Sequence, residues 1–136
     1  MTATPQPART ILIVDDEESV RLFVQRVLHE AGYQTALAAD GREALDAATR
    51  LGSVDLLVTD MMMPKMTGDD LARRLRREEP KMKILYLTGY SDRLFKEKTT
   101  LWEDEAFLDK PCSVNSLRQA VSLLLSGKLE AGEAEA

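Results

Sequence analysis

A short apolar run that stops at a carboxylate constrains this chain more than any other feature. Residues 56–59 read Leu-Leu-Val-Thr, and Asp60 follows them directly. An uninterrupted apolar and β-branched run of this length is typical of a strand that is buried on both faces. Because an isolated charge is costly to remove from water, we expect Asp60 at the point where the strand ends and solvent or a cation begins.

Three further apolar runs end at side chains that can bind ions or phosphate. They are residues 10–14 before Asp15 and Asp16, residues 83–87 before Thr88, and residues 106–109 before Lys110. The stretches after the runs place apolar residues at helical spacing, so that strands and helices alternate five times. Such alternation predicts βαβ crossovers and a parallel sheet, whose strands end at one shared edge where ligands bind.

The predicted fold is therefore α/β: a flavodoxin-like (βα)5, doubly wound, five-stranded parallel sheet with strand order 2-1-3-4-5. Residues 33–38 are less apolar and suit an edge strand. We expect a flexible N-terminal arm over 1–9, the domain over 10–126 and an acidic flexible tail over 127–136. A short fourth helix is predicted from Ser91.

Composition narrows the class of protein. The 136 residues are 44% hydrophobic and 30% charged, which fits one soluble globular domain. A net charge of −5 argues against direct binding of nucleic acid. A single cysteine, Cys112, rules out an internal disulfide and fits a reducing, cytoplasmic location. No apolar run is long enough for a membrane span, and the N-terminus lacks the apolar centre of a signal peptide.

The polar residues at the predicted edge suit phosphoryl transfer. Clustered carboxylates from Asp15, Asp16 and Asp60 would repel each other unless a hard dication such as Mg²⁺ lay among them. Lys110 can contact a phosphoryl oxygen, and the Thr88 hydroxyl can donate to the same group. Asp60 can then act as the nucleophile that forms an aspartyl-phosphate.

Each of these residues also has an ordinary structural explanation. Asp15 and Asp16 could cap the first helix, Asp60 and Thr88 could belong to turns, and Lys110 could be solvated. Other polar residues are best explained as solvated surface: His29, and the arginines at 73, 74, 76 and 77, which could otherwise form an anionic docking site. The joint placement at four strand ends is less easily accidental.

The chain resembles receiver domains of two-component response regulators. The resemblance rests on Ile-Leu-Ile-Val-Asp15-Asp16-Glu, on Asp60-Met-Met-Met-Pro64 with Gly68, on Leu87-Thr88-Gly89 and on Phe107-Leu108-Asp109-Lys110-Pro111. These motifs occur in the order and spacing of the family, and the match spans residues 10–125.

The resemblance implies a role for each motif residue. Those roles are phosphoacceptor for Asp60, Mg²⁺ binding for Asp15 and Asp16, a Mg²⁺-binding backbone carbonyl for Met62, a switch hydroxyl for Thr88, phosphate contact for Lys110 and an aromatic switch for Phe107. It also implies a cis bond between Lys110 and Pro111. The stretch from Thr99 to Glu105 lacks the Gly-Ala step that the family often has before its last strand. The placement of the fourth helix, and with it the output face, depends on this stretch.

The implied function is a phosphorylation-activated switch that acts as a single-domain response regulator. A sensor histidine kinase or a histidine phosphotransfer protein would donate the phosphoryl group to Asp60. The signal would pass through the face of the fourth helix, fifth strand and fifth helix to an unknown output protein, with a homodimer possible. The protein would catalyse only its own phosphorylation and dephosphorylation.

Four other functions remain open. The chain could be the receiver of a hybrid histidine kinase, or a phosphorelay carrier. A scaffold that dimerises without phosphorylation is less favoured, because the acidic set is intact. An aspartate-nucleophile phosphatase is also less favoured, because such enzymes usually carry a second Asp two residues after the nucleophile, where this chain has Met62.

Overall fold

The computed structural model describes residues 8–89 and 104–130, and within them five parallel strands form one sheet. The strands are β1 (Thr10–Val14), β2 (Gln34–Ala38), β3 (Leu56–Thr59), β4 (Lys83–Thr88) and β5 (Glu105–Asp109). The described helices are α1 (Glu18–Glu30), α2 (Gly41–Leu51), α3 (Gly68–Arg76) and the C-terminal helix (Val114–Ser126). The helix predicted from Ser91 lies outside the described residues.

The sheet order is β2-β1-β3-β4-β5, which confirms the predicted flavodoxin-like fold. β1 and β3, which precede the aspartates, are neighbours near the middle of the sheet. Every residue of β3 is buried, as its uninterrupted apolar sequence predicted. β2 lies at one edge and is less buried, in agreement with its mixed composition.

Helices cover both faces of the sheet, since alternate strand residues point to opposite sides. On one face, Leu12 and Leu57 pack with Leu71 of α3 and with residues of α2. On the other face, Ile11 packs with Leu28 of α1 and with residues of the C-terminal helix. The two layers of apolar side chains hold the strands in place, so that the polar residues at their ends share one edge.

Three helices begin with a side-chain cap. The caps pair Glu43 N with Asp40 Oδ1 at 2.8 Å, Asp70 N with Thr67 Oγ1 at 3.1 Å and Ser116 N with Ser113 Oγ at 2.9 Å. Each cap satisfies a backbone N–H that has no partner inside its own helix. The caps thereby fix where each loop at the carboxyl edge ends.

The interpretation of Arg76 as a solvated surface arginine is wrong. Its guanidinium donates hydrogen bonds to Asp104 at 2.9 Å, to Glu105 at 3.1 Å and to the carbonyl of Met82. The Glu105 side chain is only 3% exposed, and a buried carboxylate needs a cationic partner to offset its lost hydration. Arg76 therefore ties the end of α3 to the start of β5, a pairing between distant residues that helical spacing does not reveal.

The residues after the C-terminal helix turn back along it. The Lys128 carbonyl accepts a hydrogen bond from Ser122 Oγ at 2.7 Å, and Glu130 lies 3.0 Å from Arg118. The domain and tail boundaries remain predictions. Within the described ranges, the longest helices are too short and too polar to cross a bilayer.

Candidate functional site

Three strands deliver charged residues to one point of the carboxyl edge. Asp15 follows β1, Asp60 follows β3 and Lys110 follows β5. Backbone hydrogen bonds fix two of these positions: Asp60 N donates to the Val14 carbonyl at 3.0 Å, and Lys110 N donates to the Thr88 carbonyl at 2.9 Å. The ladder of the sheet thus continues just far enough to bring these side chains together.

The three predicted acidic residues form one cluster. Asp15, Asp16 and Asp60 each offer a carboxylate oxygen, and these oxygens lie within 4.8 Å of one another. Asp15 and Asp60 are buried, whereas Asp16 is exposed. Like charges at this separation repel strongly where water is partly excluded, so the cluster requires positive charge nearby.

Lys110 supplies part of that charge. Its Nζ lies 2.8 Å from Asp15 Oδ2, 3.2 Å from Asp60 Oδ2 and 3.5 Å from Glu17 Oε1. Burial on its own lowers the pKa of Lys110, but the close contact with the Asp15 carboxylate and the charge of Asp60 outweigh burial and raise that pKa to about 12. Lys110 is therefore protonated at any physiological pH.

Lys110 does not fully compensate the negative charge of Asp60. Burial raises the pKa of Asp60 above its ordinary value, and the neighbouring Asp15 charge adds to the rise, although Lys110 opposes both. The Asp60 side chain is only 10% exposed, so water compensates little of its charge. A second cation beside Asp60 would favour the ionised form that a nucleophile needs.

The donor set fits a hard dication. Among the described residues, the buried Asp15 Oδ2 accepts no hydrogen bond of good geometry, even though Lys110 Nζ lies 2.8 Å away. Beyond its ion pair with Lys110, this oxygen has no partner among the described residues and can bind a metal. Carboxylate oxygens with few other protein ligands suit Mg²⁺, which keeps several of its own waters. The residues present therefore fit the metal that the sequence predicted.

The loop after β3 is held close to Asp60. Met62 N donates to Asp60 Oδ1 at 3.2 Å, while the Met62 side chain is exposed. Gly68 N donates to the Met61 carbonyl at 2.8 Å. A Cβ atom on Gly68 would run into the Asp60 carbonyl oxygen, so only glycine permits this approach of α3 to the acceptor loop.

The two predicted switch residues lie on neighbouring strands. Thr88 is fully buried at the end of β4, and Phe107 is half-buried on β5. The Phe107 ring lies 5.3 Å from the Tyr86 ring, at an interplanar angle of 42°. The Lys110–Pro111 bond is cis, as the resemblance implied.

One neighbour of the site was missed at the level of sequence. Arg21 Nη1 donates to the Asp15 carbonyl at 2.7 Å. A cation in the first turn of a helix interacts unfavourably with the helix dipole. The presence of an arginine there, close to two aspartates in sequence, is the signal that could have identified Arg21 as part of the site.

Comparisons with known proteins agree with this geometry. The profile of the "Response regulator receiver domain" family matches residues 11–122. The chain is 38% identical over 117 residues to "Sensor kinase CckA" of Brucella abortus (strain 2308), covering 85% of this chain but only 12% of that protein. It is 33% identical over 116 residues to "Sporulation initiation phosphotransferase F" of Bacillus subtilis (strain 168), covering 85% of this chain and 92% of that protein.

A solved structure shows the same fold. The response regulator protein TrrA of Thermotoga maritima, in complex with Mg²⁺-BeF, superposes with a TM-score of 0.73 at 32% identity. The alignment covers 86% of this chain and 99% of that one. The family profile spans most of the chain, and the carboxyl edge carries the acidic cluster and lysine described above. The chain belongs to the response regulator receiver domain family of two-component signal transduction.

Proposed function

We propose that this chain is a phosphorylation-activated signalling switch in which Asp60 accepts a phosphoryl group from a phosphohistidine in a Mg²⁺-dependent reaction. The observation that supports this most strongly is the convergence of Asp15, Asp16 and Asp60 within 4.8 Å, with Lys110 Nζ against two of them. Three clustered carboxylates carry more negative charge than Lys110 alone can balance.

The residues divide the work of transfer between them. Asp15, Asp16, Asp60 and the Met62 backbone carbonyl would hold Mg²⁺, which neutralises phosphoryl charge when it is bound. An Asp60 carboxylate oxygen attacks phosphorus, the bond from phosphorus to the donor imidazole breaks, and its electron pair stays on the imidazole nitrogen. Lys110 contacts a phosphoryl oxygen as a point charge. Positioning and charge compensation are most of what such a transfer requires.

Phosphorylation then shifts a conformational equilibrium. The acyl phosphate carries roughly 1.5 to 2 negative charges in place of the single charge of the carboxylate, and it has three acceptor oxygens. The Thr88 hydroxyl donates to one of those oxygens, and Phe107 turns inward as Thr88 moves. Phe107 is half-buried against Tyr86, so a rotation of its side chain is enough to turn the ring inward from its present position. Reversing a 1:99 population ratio requires about 5.5 kcal/mol of differential stabilisation.

The readout is the face built by the predicted fourth helix, β5 and the C-terminal helix. An output protein, or a second copy of the chain, would bind this face in a phosphorylation-dependent way. We place the protein in the cytoplasm, as a single-domain response regulator, with a sensor histidine kinase or a histidine phosphotransfer protein as donor. A hybrid-kinase receiver or a phosphorelay carrier is the alternative, since the relatives include both phosphotransferase F, covered over 92% of its length, and CckA, covered over 12%.

The test is phosphotransfer from a purified histidine phosphotransfer domain that carries a labelled phosphohistidine. We expect label to move to the chain with Mg²⁺ and not with EDTA, and to be absent from Asp60→Asn. Asp40→Asn is the matched control, because Asp40 lies at the same edge and asparagine also caps α2. Equal transfer to wild type and Asp60→Asn would refute the assignment of the acceptor.

A further inference from the structure

We infer that Arg21 is a positioning residue for the metal site: it fixes the peptide unit between Asp15 and Asp16, so that both carboxylates point into one cluster. This inference rests on the proposed Mg²⁺-dependent function. Its starting point is the 2.7 Å hydrogen bond from Arg21 Nη1 to the Asp15 carbonyl. That carbonyl belongs to the peptide that joins the two aspartates, and its orientation decides the direction in which Asp16 leaves the backbone.

The choice of partner is unusual for an arginine in this place. Glu17 and Glu18 lie within one helical turn of Arg21, yet no carboxylate of the described residues lies within ion-pair distance of its guanidinium. An arginine beside acidic residues commonly forms a charge-assisted pair with one of them. Here the side chain instead binds a neutral main-chain oxygen.

Helix position adds to this argument. Arg21 is the fourth residue of α1, near the positive end of the helix dipole, where a cation is disfavoured by roughly 0.3–1 kcal/mol. The Asp15 hydrogen bond offsets that cost. A residue chosen for the stability of α1 alone would be neutral or acidic at this position.

Other bonds complete the restraint on Asp15. Its N–H donates to the Ala38 carbonyl at 3.2 Å, and its Oδ1 accepts from Glu17 N at 2.9 Å. Arg21 therefore restrains the remaining polar group of this residue, the carbonyl on the side of Asp16. Groups that orient metal ligands in this way typically contribute tenfold or more to metal affinity.

A role of Arg21 through its charge and a role through its restraint on the peptide predict opposite changes in Mg²⁺ affinity for Arg21→Met. Removing a positive charge near the site should tighten Mg²⁺ binding if Arg21 acts through charge alone. Losing the restraint on the peptide should weaken binding. We expect the Kd for Mg²⁺, measured by isothermal titration calorimetry, to rise by about tenfold in Arg21→Met. Arg21→Lys, which keeps the charge and one donor, should lie between wild type and Arg21→Met.

Arg26→Met is the matched control. Arg26 lies on the same helix, is 82% exposed and pairs only with Glu30 among the described residues. The Arg26→Met substitution removes the same charge but leaves the peptide between Asp15 and Asp16 unchanged, so its Kd for Mg²⁺ should equal that of wild type. If Arg21→Met does not fold, the comparison of Arg21→Lys with wild type decides the question, since charge alone predicts equal affinity for those two.

A second readout separates positioning from general loss of structure. In phosphorylation by a small acyl phosphate, Arg21→Met should need about tenfold more Mg²⁺ for half-maximal rate and reach the wild-type rate at saturation. A loosened fold would lower the saturated rate as well. If Arg21→Met binds Mg²⁺ as tightly as wild type or more tightly, the inference is overturned. If wild type itself binds no Mg²⁺, the proposed function fails with it.

Discussion

Replacing Lys110 by methionine should destabilise the Mg²⁺-free protein and have a smaller effect when Mg²⁺ is bound. The Lys110 ammonium contacts Asp15 and Asp60, and the Lys110 side chain is only 16% exposed, so solvent screens these contacts weakly. Its pKa of about 12, against 10.5 for a free lysine, corresponds to about 2 kcal/mol of folding free energy at neutral pH. Methionine preserves most of the aliphatic stem, so the loss reports on charge.

The sign of the pH dependence follows from the raised pKa. The stabilisation from Lys110 is fully present below pH 10.5 and is lost as the pH rises from 10.5 towards about 12. Urea unfolding of wild type and Lys110→Met at neutral pH should therefore differ by about 2 kcal/mol in EDTA. The difference should shrink in saturating Mg²⁺, because the metal then provides counter-charge for the same carboxylates.

Lys81→Met is the control for removing an exposed lysine, and it should change the free energy of unfolding by less than about 0.5 kcal/mol. Equal stability of wild type and Lys110→Met in EDTA would refute the reasoning. So would a deficit that stays the same when Mg²⁺ is added, because Lys110 would then not share its carboxylates with the metal.

Three further substitutions test other parts of the account. Gly68→Ala should lower the free energy of urea unfolding by about 1–3 kcal/mol, because its Cβ meets the Asp60 backbone, whereas Gly89→Ala, which meets nothing, should be near neutral. Equal effects of the two would contradict the steric argument. Asp60→Asn should be more stable than wild type in EDTA at neutral pH, since burial raises the Asp60 pKa, and the gain should vanish as acid protonates Asp60. A gain that is constant in urea titrations across this acid range would exclude ionisation as its cause. Arg76→Met should cost about 3 kcal/mol in the same assay, because it removes the cationic partner of the buried Glu105. A cost below 1 kcal/mol would show that water replaces the guanidinium.

The sequence predicted the sheet and its carboxyl edge because both follow from local patterns. Uninterrupted apolar runs predict buried strands, and polar residues at their ends fall where buried strands must stop. Asp15, Asp60 and Lys110 could thus be assigned to one edge from the alternation of strands and helices. The capping residues likewise act within a single turn of helix, so local sequence determines where α2 and α3 begin.

The contacts that sequence analysis missed join elements that are distant or act through the backbone. Arg76 follows the spacing of a solvated helix face, and only the tertiary fold brings Asp104 and Glu105 to it. Arg21 binds a main-chain carbonyl, and its unfavourable place in the first turn of α1 is the sequence signal of that contact. That Lys110 pairs with Asp15 and Asp60 together, rather than extending into solvent, depends on the geometry of two neighbouring loops.

The central claim is that Asp60 is the Mg²⁺-dependent phosphoacceptor. Its most direct test is the intact mass of the protein after incubation with Mg²⁺ and a small acyl-phosphate donor, beside Asp60→Asn. The account predicts a gain of one phosphoryl group in the wild-type protein, which EDTA and Asp60→Asn each abolish. No gain in the folded protein, together with no binding of beryllofluoride in the presence of Mg²⁺, would contradict the claim and favour a scaffold that works without phosphorylation.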